Sequence, residues 1–444
     1  MNHEELLFNK NDLTVEVMNN LLMNLFKLIF RMGTTPEKLS ENEFLMKCIM
    51  RILLISEDLL SATIIQILQE LIKIVEIISK NPSNPKFSHY TFECICIILK
   101  NYRSEIVNFY GVLKNTLFGI LGQDVQEFVP YSFQILSYVL ENFPATAEMP
   151  EEYVQLLKPL CSPQVWEYRG NIPAVKRLLS AIIRFKPSLF SDASNITPIL
   201  GIFQKLISSK SNDALGFEFL ETILVHVDTV SLQPFLQQIF ILILTRLKNF
   251  KTEKFVKRFI VFLCKMCSLE VNAELNKNKW TSGMIIDIFE GIQNGLFEQI
   301  LNNFIVSFID KFNNQTDKKL LVVGLTNLVA ENYTRISNTE VLRVVSEVVK
   351  LLNSESIKNY KAIDDNVEMM LEIDNDDLSF GSSFNKLTII QQRPFDPVSG
   401  IVKDKALLVQ FFKTKLQTID GQLLSAMMQQ MDEETRKAAG ALGM

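Results

Sequence analysis

Residues 201–226 read GIFQKLISSKSNDALGFEFLETILVH, and this stretch indicates the fold of the whole chain. Apolar residues recur at helical spacing on both sides of a polar centre: Ile202, Phe203, Leu206 and Ile207 before it, and Leu215, Phe219, Leu220, Ile223 and Leu224 after it. The centre, residues 208–213, is too polar to be buried and too short to be a linker. The pattern therefore predicts two antiparallel amphipathic helices, which need neighbours because neither can bury its apolar stripe alone.

The start of the second helix carries two residues that can cap it. Asn212 and Asp213 directly precede the apolar positions of that helix. Side-chain oxygens at this position accept hydrogen bonds from the first free backbone N–H groups of a helix. We predict that Asn212 or Asp213 makes this cap.

The composition favours long helices and gives no general affinity for anions. The chain has 444 residues, 48% of them apolar, with only 16 Gly and 14 Pro. A many-turned β fold would need more turn residues. The formal charge is −5 and the isoelectric point is about 5.6, so no overall positive field exists to hold nucleic acid or an anionic membrane.

Targeting and redox signals point to a soluble intracellular protein. The longest apolar run near the middle, residues 239–244, is far too short to span a membrane, so we predict no membrane insertion. The N-terminal sequence MNHEELLFNK is not a secretory signal. The cysteines that fall within apolar helical patterns indicate buried thiols in a reducing compartment; they are Cys94, Cys96, Cys264 and Cys267.

The helix–turn–helix pattern recurs along the chain in pairs of roughly 40 residues, the scale of HEAT and armadillo repeats. We therefore predict an all-α fold, an α-solenoid of HEAT-type helical pairs over residues 1–363. Residues 364–380 contain an acidic run without Lys or Arg and are predicted to be a linker, and residues 381–444 to add C-terminal helices that close the solenoid. Residues 232–247 are nearly apolar all round, which predicts a helix sandwiched between neighbours. Residues 271–282 are polar and are predicted to be a loop insertion.

A search for catalytic chemistry yields little. Phosphate-loop, zinc-protease and serine-hydrolase motifs do not occur, and the three histidines, His3, His89 and His226, are scattered. Cys264 and Cys267 have C-x-x-C spacing but no second such pair or histidine nearby. We predict a protein that is not an enzyme and has no cofactor and no metal. The alternative is a metal or thiol enzyme that uses these two cysteines.

Basic residues concentrate at the turns between helices. Lys205 and Lys210 flank the central turn, and Arg169, Lys176 and Arg177 bracket Asn171. A further group occupies the next turn: Lys248, Lys251, Lys254, Lys257 and Arg258. These residues are either solvated helix ends or part of a surface that holds an acidic partner protein.

Several segments resemble the CAS-type exportins, the importin-alpha re-exporters of the importin-beta superfamily, in order and spacing over essentially the whole chain. These segments are SENEFLMKCIMR (40–51), KNPSNPKFSHYTFECIC (80–96), VQEFVPYSFQILSYVLE (125–141), VWEYRGNIPAVKRLL (165–179), GIFQKLISSKSNDALGF (201–217) and QIFILILTRLKNFKTEKFVKRFIVF (238–262). The acidic run followed by FDPV (395–398) is also similar to the end of that family.

The resemblance implies a receptor that binds importin-alpha together with Ran-GTP in the nucleus, passes nuclear pore proteins and shuttles between nucleus and cytoplasm. Our candidates for partner binding are Arg169, Asn171, Lys205, Lys210, Asn212 and Asp213. A general helical-repeat scaffold with an unrelated partner is the alternative hypothesis.

Two departures from the family pattern stand out. Residues 271–282 are longer and more polar than the pattern, and the N-terminal repeats that supply the family's main contact with Ran-GTP are not in this chain. Met1 leads into a solenoid helix without an evident cap, which favours truncation. We therefore expect a fragment, an incomplete gene model, or a protein that works with a separate N-terminal half.

Overall fold

The computed structural model describes residues 14–57, 59–358 and 385–443, and its regular structure there is helical. The helices are α1 (Val15–Met32), α2 (Pro36–Leu39), α3 (Glu43–Ser56), α4 (Ile64–Ile78), α5 (Pro85–Asn101), α6 (Ile106–Gly122), α7 (Val129–Glu141), α8 (Glu151–Leu160), α9 (Ile172–Phe185), α10 (Ala193–Ser208), α11 (Asp213–His226), α12 (Thr229–Asn249), α13 (Glu253–Ser268), α14 (Ser282–Ile292), α15 (Leu296–Ile300), α16 (Gln315–Asn332), α17 (Asn338–Asn353), α18 (Glu355–Lys358), α19 (Lys405–Leu416), α20 (Gly421–Gln430) and α21 (Glu433–Ala441). The acidic run predicted as a linker, residues 364–380, lies outside the described residues.

The described chain divides into two compact units. Unit 1 contains residues 14–185 and 385–393, and unit 2 contains residues 186–358 and 394–443. In unit 1, α2, α4 and α6 pack in sequence as row A, and α3, α5, α7 and α9 pack in sequence as row B. The pairs α4–α5 and α6–α7 join the two rows. Each helix therefore buries its apolar stripe against both its partner and its neighbours in the row.

Unit 2 repeats this two-row arrangement. Its row A contains α10, α12 and α14, and its row B contains α11, α13 and α16. The predicted pair at residues 201–226 is α10 and α11, which pack against each other. At their contact Gly216 lies so close to α10 that an added Cβ atom would be 3.0 Å from the backbone nitrogen of Ile207. Leu220, within the predicted stripe of α11, is fully buried.

Hydrogen bonds between side chains and their neighbours confirm the repeat length. The hydroxyl of Tyr102 accepts from the backbone N–H of Leu60, 42 residues earlier, at 3.0 Å. In unit 2 the ammonium of Lys265 donates to both carboxylate oxygens of Glu221, 44 residues earlier, at 2.9 and 3.0 Å. Tyr102 follows the end of α5 and Leu60 comes after the end of α3, whereas Lys265 and Glu221 lie within α13 and α11. Each link therefore joins equivalent parts of two successive repeats, as a period of roughly 40 residues requires.

Helix α12 differs from the prediction for residues 232–247. Among the described residues it is the one helix that is long and apolar enough to cross a membrane by length and composition. It lies between α10 and α14 in row A, as predicted, but only one face is buried, through Leu232, Ile239 and Ile243 among others. Its exposed face carries Gln233, Gln237, Gln238 and Thr245. This polar face contradicts the prediction that the stretch is nearly apolar all round.

Two predictions about helix ends are also wrong. The Asp213 and Asn212 side chains make no capping hydrogen bond at the start of α11. Helix α1, by contrast, has a cap that was not predicted, since the hydroxyl of Thr14 accepts from the N–H of Val17 at 3.3 Å. The start of α1 therefore carries no information about where the protein begins.

The predicted loop at residues 271–282 is ordered and closes the end of α11. The side-chain amide of Asn278 donates to the carbonyl oxygens of Val225 and Val227, both at 2.8 Å. The indole of Trp280 is buried and donates to the carbonyl oxygen of Leu224. The last carbonyls of a helix have no partner within the helix, so this loop satisfies them.

Candidate partner-binding surface

The turn between α10 and α11 presents basic side chains at the surface of unit 2. Lys205 and Lys210 are exposed, and the ammonium of Lys210 lies 4.9 Å from the ring centre of Phe250. Phe250 is itself half exposed, at 51%. A cation over an aromatic face at this distance is attracted by the ring quadrupole, which holds Lys210 beside an apolar surface.

Asp213 has a structural role in this turn. It is 3% exposed, and its carboxylate pairs with Arg246 at 3.4 Å and with Arg258. Two guanidinium groups are stronger partners than the backbone N–H groups of α11, because charge-assisted hydrogen bonds exceed neutral ones in strength. Asp213 therefore locks the turn to α12 and α13 instead of capping α11. Asn212 is half buried at the start of α11.

The next turn of unit 2, between α12 and α13, extends the basic surface. Lys248, Lys251 and Lys254 are exposed there. The ammonium of Lys251 lies 4.8 Å from the ring centre of Phe304 and 5.7 Å from that of Phe308. Lys257 is neutralised by Glu253, with 2.7 Å between nitrogen and oxygen. We call Lys205, Lys210, Lys248, Lys251 and Lys254 the basic turn surface of unit 2.

The two candidates in unit 1 differ in accessibility. Arg169 is exposed in the turn before α9, whereas Asn171 is buried. The backbone of Asn171 is engaged, since its N–H donates to Tyr168 and its carbonyl accepts from Val175, both at 2.9 Å. Arg177, which was grouped with them, lies inside the unit and donates twice to Glu141, at 2.8 and 3.2 Å. Arg169 is thus the accessible member of this group.

Sequence reasoning missed a second feature of unit 1, which we call the strap, residues 385–393. The strap has no helix and packs against row B. Gln134 of α7 is buried, and its side-chain amide contacts the strap twice: it donates to the carbonyl of Asn385 at 3.0 Å and accepts from the N–H of Leu387 at 2.9 Å. Glu93 of α5 accepts from the N–H groups of Thr388, at 2.6 Å, and Ile389, at 3.3 Å.

Burial changes the acid–base behaviour of two groups beneath the strap. It raises the pKa of the fully buried Glu93 carboxyl to about 7, against the lowering effect of the two backbone N–H donors. It lowers the pKa of the His89 imidazole to about 4. Because its pKa is lowered by burial, the imidazole of His89 is neutral at physiological pH, although it lies 3.6 Å from a carboxylate oxygen of Glu93. This pair is accordingly not a full ion pair.

The thiol alternative loses its chemical basis. Cys264 and Cys267 are buried in α13, and burial raises the pKa of both thiols, so neither is a thiolate at neutral pH. Within the described ranges, no group of three or more His, Cys, Asp or Glu side chains is arranged to hold a metal ion.

Comparison with known proteins identifies the family of this chain. The family described as "CAS/CSE protein, C-terminus" matches residues 1–441. The importin alpha re-exporter of Saccharomyces cerevisiae is 40% identical over 399 residues, which are 89% of this chain and 39% of that protein. Exportin-2 of Mus musculus is 34% identical over 397 residues, which are 86% of this chain and 38% of that protein.

A solved exportin structure has the same fold as this chain. The structure described as "The exportin Cse1 in its cargo-free, cytoplasmic state" superimposes with a TM-score of 0.81 and 34% identity, covering 96% of this chain and 42% of that one. The predicted HEAT-type solenoid is thereby confirmed. The chain spans about two fifths of the length of the relatives it matches. It belongs to the CAS/CSE family of exportins and matches the C-terminal part of that family.

Proposed function

We propose that this chain acts as the C-terminal part of a nuclear export receptor, which binds importin-alpha together with Ran-GTP and returns importin-alpha to the cytoplasm. The observation that carries the proposal is the match over 89% of the chain to a protein named for importin-alpha re-export. Because this chain spans 39% of that relative, the activity of the complete receptor is part of the proposal.

We propose that the acidic partner binds at the basic turn surface of unit 2. Its five lysines are exposed at two successive turns, and Asp213, which is buried at the first of these turns, is neutralised by two arginines. The surface is therefore positive although the whole chain has a formal charge of −5. A local positive field on an acidic protein favours an acidic partner and raises the rate of its association. In unit 1 the exposed Arg169 is the corresponding candidate.

The remaining expectations complete the proposal. We infer a receptor that shuttles between nucleus and cytoplasm past nuclear pore proteins, without nucleic acid as a ligand, membrane insertion or catalytic activity. The division into a solenoid over residues 1–363, an acidic linker at 364–380 and closing helices at 381–444 remains part of the proposal. Of the six candidate residues, Asn171, Asn212 and Asp213 position the turns in this proposal, because they are buried or half buried.

A binding assay tests the proposal. The full chain is immobilised and incubated with importin-alpha, with or without Ran loaded with a non-hydrolysable GTP analogue. We expect importin-alpha to be retained and the retention to increase with Ran. Replacing Lys205 and Lys210 by Glu should weaken importin-alpha binding about tenfold or more, since like charge then opposes the acidic partner. Retention of neither protein would contradict the proposed function.

A matched variant separates the basic turn surface from net charge. Lys27 of α1 and Lys158 of α8 are exposed lysines elsewhere on the chain. Lys27→Glu combined with Lys158→Glu changes the net charge by the same amount and should leave importin-alpha binding unchanged. Equal losses from both double variants would show that overall charge, and not this surface, determines binding.

A further inference from the structure

Phe250 is held in place although its side chain is half exposed, at 51%. Its backbone N–H donates to the carbonyl oxygen of Arg246 at 3.0 Å, and its own carbonyl oxygen accepts from the guanidinium of Arg246 at 2.6 Å. The same guanidinium lies 5.4 Å from the ring centre of Phe250 and pairs with the buried carboxylate of Asp213. Two hydrogen bonds and a cation–ring contact therefore order this aromatic residue before any partner binds.

Lysines from two successive turns lie around Phe250. The ammonium of Lys210, in the turn between α10 and α11, lies 4.9 Å from the ring centre. Lys248 and Lys251 lie two residues before and one residue after Phe250, and both are exposed. The ammonium of Lys251 lies 4.8 Å from the ring centre of the half-buried Phe304. The basic turn surface thus contains an exposed aromatic ring with cations beside it.

This combination has the composition of an interface hot spot. A single exposed apolar residue is common on protein surfaces and would carry no inference. Phe250 differs because Arg246 orders it, so that little further conformational entropy is lost when a partner covers the ring. Hot spots combine such an aromatic centre with a charged rim. The ring can therefore bury apolar surface against a partner while the ammonium groups meet its charges.

The chemistry that complements this arrangement is an aromatic side chain flanked by carboxylates. An aromatic residue fits better than an aliphatic one, because two rings attract each other beyond the effect of the buried area. Carboxylates on the same segment meet the lysines, whereas a neutral segment would gain no such pairing. A protein segment is favoured over a nucleic acid, since the formal charge of the chain is −5 and repels a long polyanion.

We propose that Phe250, together with Lys210, Lys248 and Lys251, forms an aromatic anchor site that binds an acidic protein segment with one aromatic side chain between carboxylates. The inference rests on the proposed function in one respect, because it assigns this segment to the partner that binds the basic turn surface. At the site the ring contact slows dissociation, and the lysines speed association, since charge acts over a longer range than apolar contact.

A peptide titration with the full chain tests the site. The probe is a fluorescent synthetic peptide that carries one phenylalanine between three aspartates on each side, and its anisotropy is recorded. We expect Phe250→Ser to weaken binding of this peptide about tenfold, as expected for a hot-spot residue. Phe44→Ser is the matched control, because Phe44 is 72% exposed on α3 in unit 1, and it should leave the affinity unchanged.

Changes in the peptide identify its contact with Phe250. Replacing the phenylalanine of the peptide by alanine should weaken binding to the wild-type chain about tenfold. The same replacement should change binding to the Phe250→Ser variant by less than about twofold, because the ring that it contacts is already missing. If Phe250→Ser does not fold, Phe250→Leu takes its place, with an expected loss of about threefold, because an apolar side chain is kept.

Charge variants separate the lysines from the ring. Replacing all aspartates of the peptide by asparagine should weaken binding to the wild-type chain at least about tenfold, since the ammonium groups then meet no anion. Lys210→Glu combined with Lys251→Glu should weaken binding and remove most of its dependence on salt. Phe250→Ser should keep the salt dependence of the wild type, because it leaves the lysines in place.

Three results would overturn the proposal. The first is an equal loss from the alanine peptide on the wild-type chain and on the Phe250→Ser variant, and the second is unchanged binding of the asparagine peptide. The third is a single-stranded oligonucleotide that binds more tightly than the acidic peptide and loses affinity with Phe250→Ser, which would identify a nucleic-acid site. Because importin-alpha and Ran are absent from these titrations, failure here leaves the proposed function to its own binding assay.

Discussion

Asp213 shows how a residue that the sequence marks as a surface polar residue acquires a role inside the fold. Its position after a polar turn suggests a helix cap, and nothing nearby in the sequence identifies Arg246 and Arg258 as its partners, because they are 33 and 45 residues away. The same holds for Glu93 and Gln134, whose partners in the strap follow more than 250 residues later. The sequence did contain a signal for Glu93 and Gln134, because each is a polar residue within an otherwise apolar helix.

We expect Asp213→Asn to destabilise unit 2 by about 3 kcal/mol, because it leaves the buried guanidinium of Arg246 without its anion. Asn212→Ala is the matched control at the preceding position, and it should change the free energy of unfolding by less than about 0.5 kcal/mol, since Asn212 makes no capping hydrogen bond. Urea unfolding followed by circular dichroism measures both. Equal effects of the two substitutions would contradict the assigned ion pairs.

Glu93 gives a pH dependence with a defined sign. Its folded-state pKa of about 7 is above the ordinary value of 4.5, so its contribution to stability is fully present below pH 4.5 and is lost as the pH rises through 7. His89, with a pKa lowered to about 4, acts in the opposite direction between about pH 4 and 6.5. Burial raises the pKa values of Cys94, Cys96 and Tyr131, which therefore stay protonated at neutral pH.

Glu93 is thus the group under the strap that titrates between pH 6.5 and 8. Over this window we expect the wild-type chain to lose about 1 kcal/mol of unfolding free energy that the Glu93→Gln variant retains. Urea unfolding of both proteins at several pH values measures the difference. Parallel stability curves for the two proteins would show that the carboxyl group does not titrate in this range.

At the scale of the helices, periodicity predicts which segments are helical but not how deeply each is buried. Some row-B helices are buried on nearly every side. In α5 all residues from 87 to 99 are buried, and the sequence accordingly mixes apolar residues with small or paired polar ones. Helix α12 is the reverse case, since its apolar composition accompanies an exposed neutral face. Burial depends on which elements cover a helix, and local periodicity contains no information about a strap that follows hundreds of residues later.

The contact between α13 and α16 gives a sharp test of row-B packing. A Cβ atom added at Gly324 would lie 2.4 Å from the carbonyl oxygen of Cys264, which is backbone and cannot rotate away. We expect Gly324→Ala to destabilise unit 2 by about 2 kcal/mol or more, because the helices must separate. Gly111→Ala in α6 meets nothing within 4 Å and should instead stabilise the chain by up to about 1 kcal/mol through helix propensity. Thermal unfolding compares the two, and a neutral Gly324→Ala would contradict this packing.

The loop at residues 271–282 was predicted correctly as a loop, but its role follows only from its contacts. We expect Asn278→Ala to cost about 2 kcal/mol, because two carbonyl oxygens at the end of α11 lose their donor. Lys277→Ala, at an exposed neighbouring position, should cost less than about 0.5 kcal/mol. Urea unfolding measures both variants. A similar small effect for each would mean that water replaces Asn278 at the helix end.

For the whole molecule, the sequence predicted the class of fold and the family, because both depend on features that recur over the full length. A period of roughly 40 residues and the order of the segments that resemble the family are global properties, and the TM-score of 0.81 to an exportin structure confirms the fold. The candidate site was harder to predict, since charged turns look alike in sequence. The structure separates exposed Arg169, Lys205 and Lys210 from buried Asn171 and Asp213, and whether the exposed residues bind a partner remains a prediction.

The central claim is that this chain performs the work of the C-terminal part of an importin-alpha re-exporter, and a chimera tests it most directly. In yeast, the matching region of the Saccharomyces cerevisiae re-exporter is replaced by this chain, which is 40% identical to it, and the nuclear fraction of importin-alpha is measured after depletion of the native receptor. We predict that the chimera restores the cytoplasmic pool of importin-alpha and that the Lys205→Glu, Lys210→Glu chimera does so less well. Importin-alpha that stays in the nucleus, although the folded chimera is present at the native level, would contradict the account.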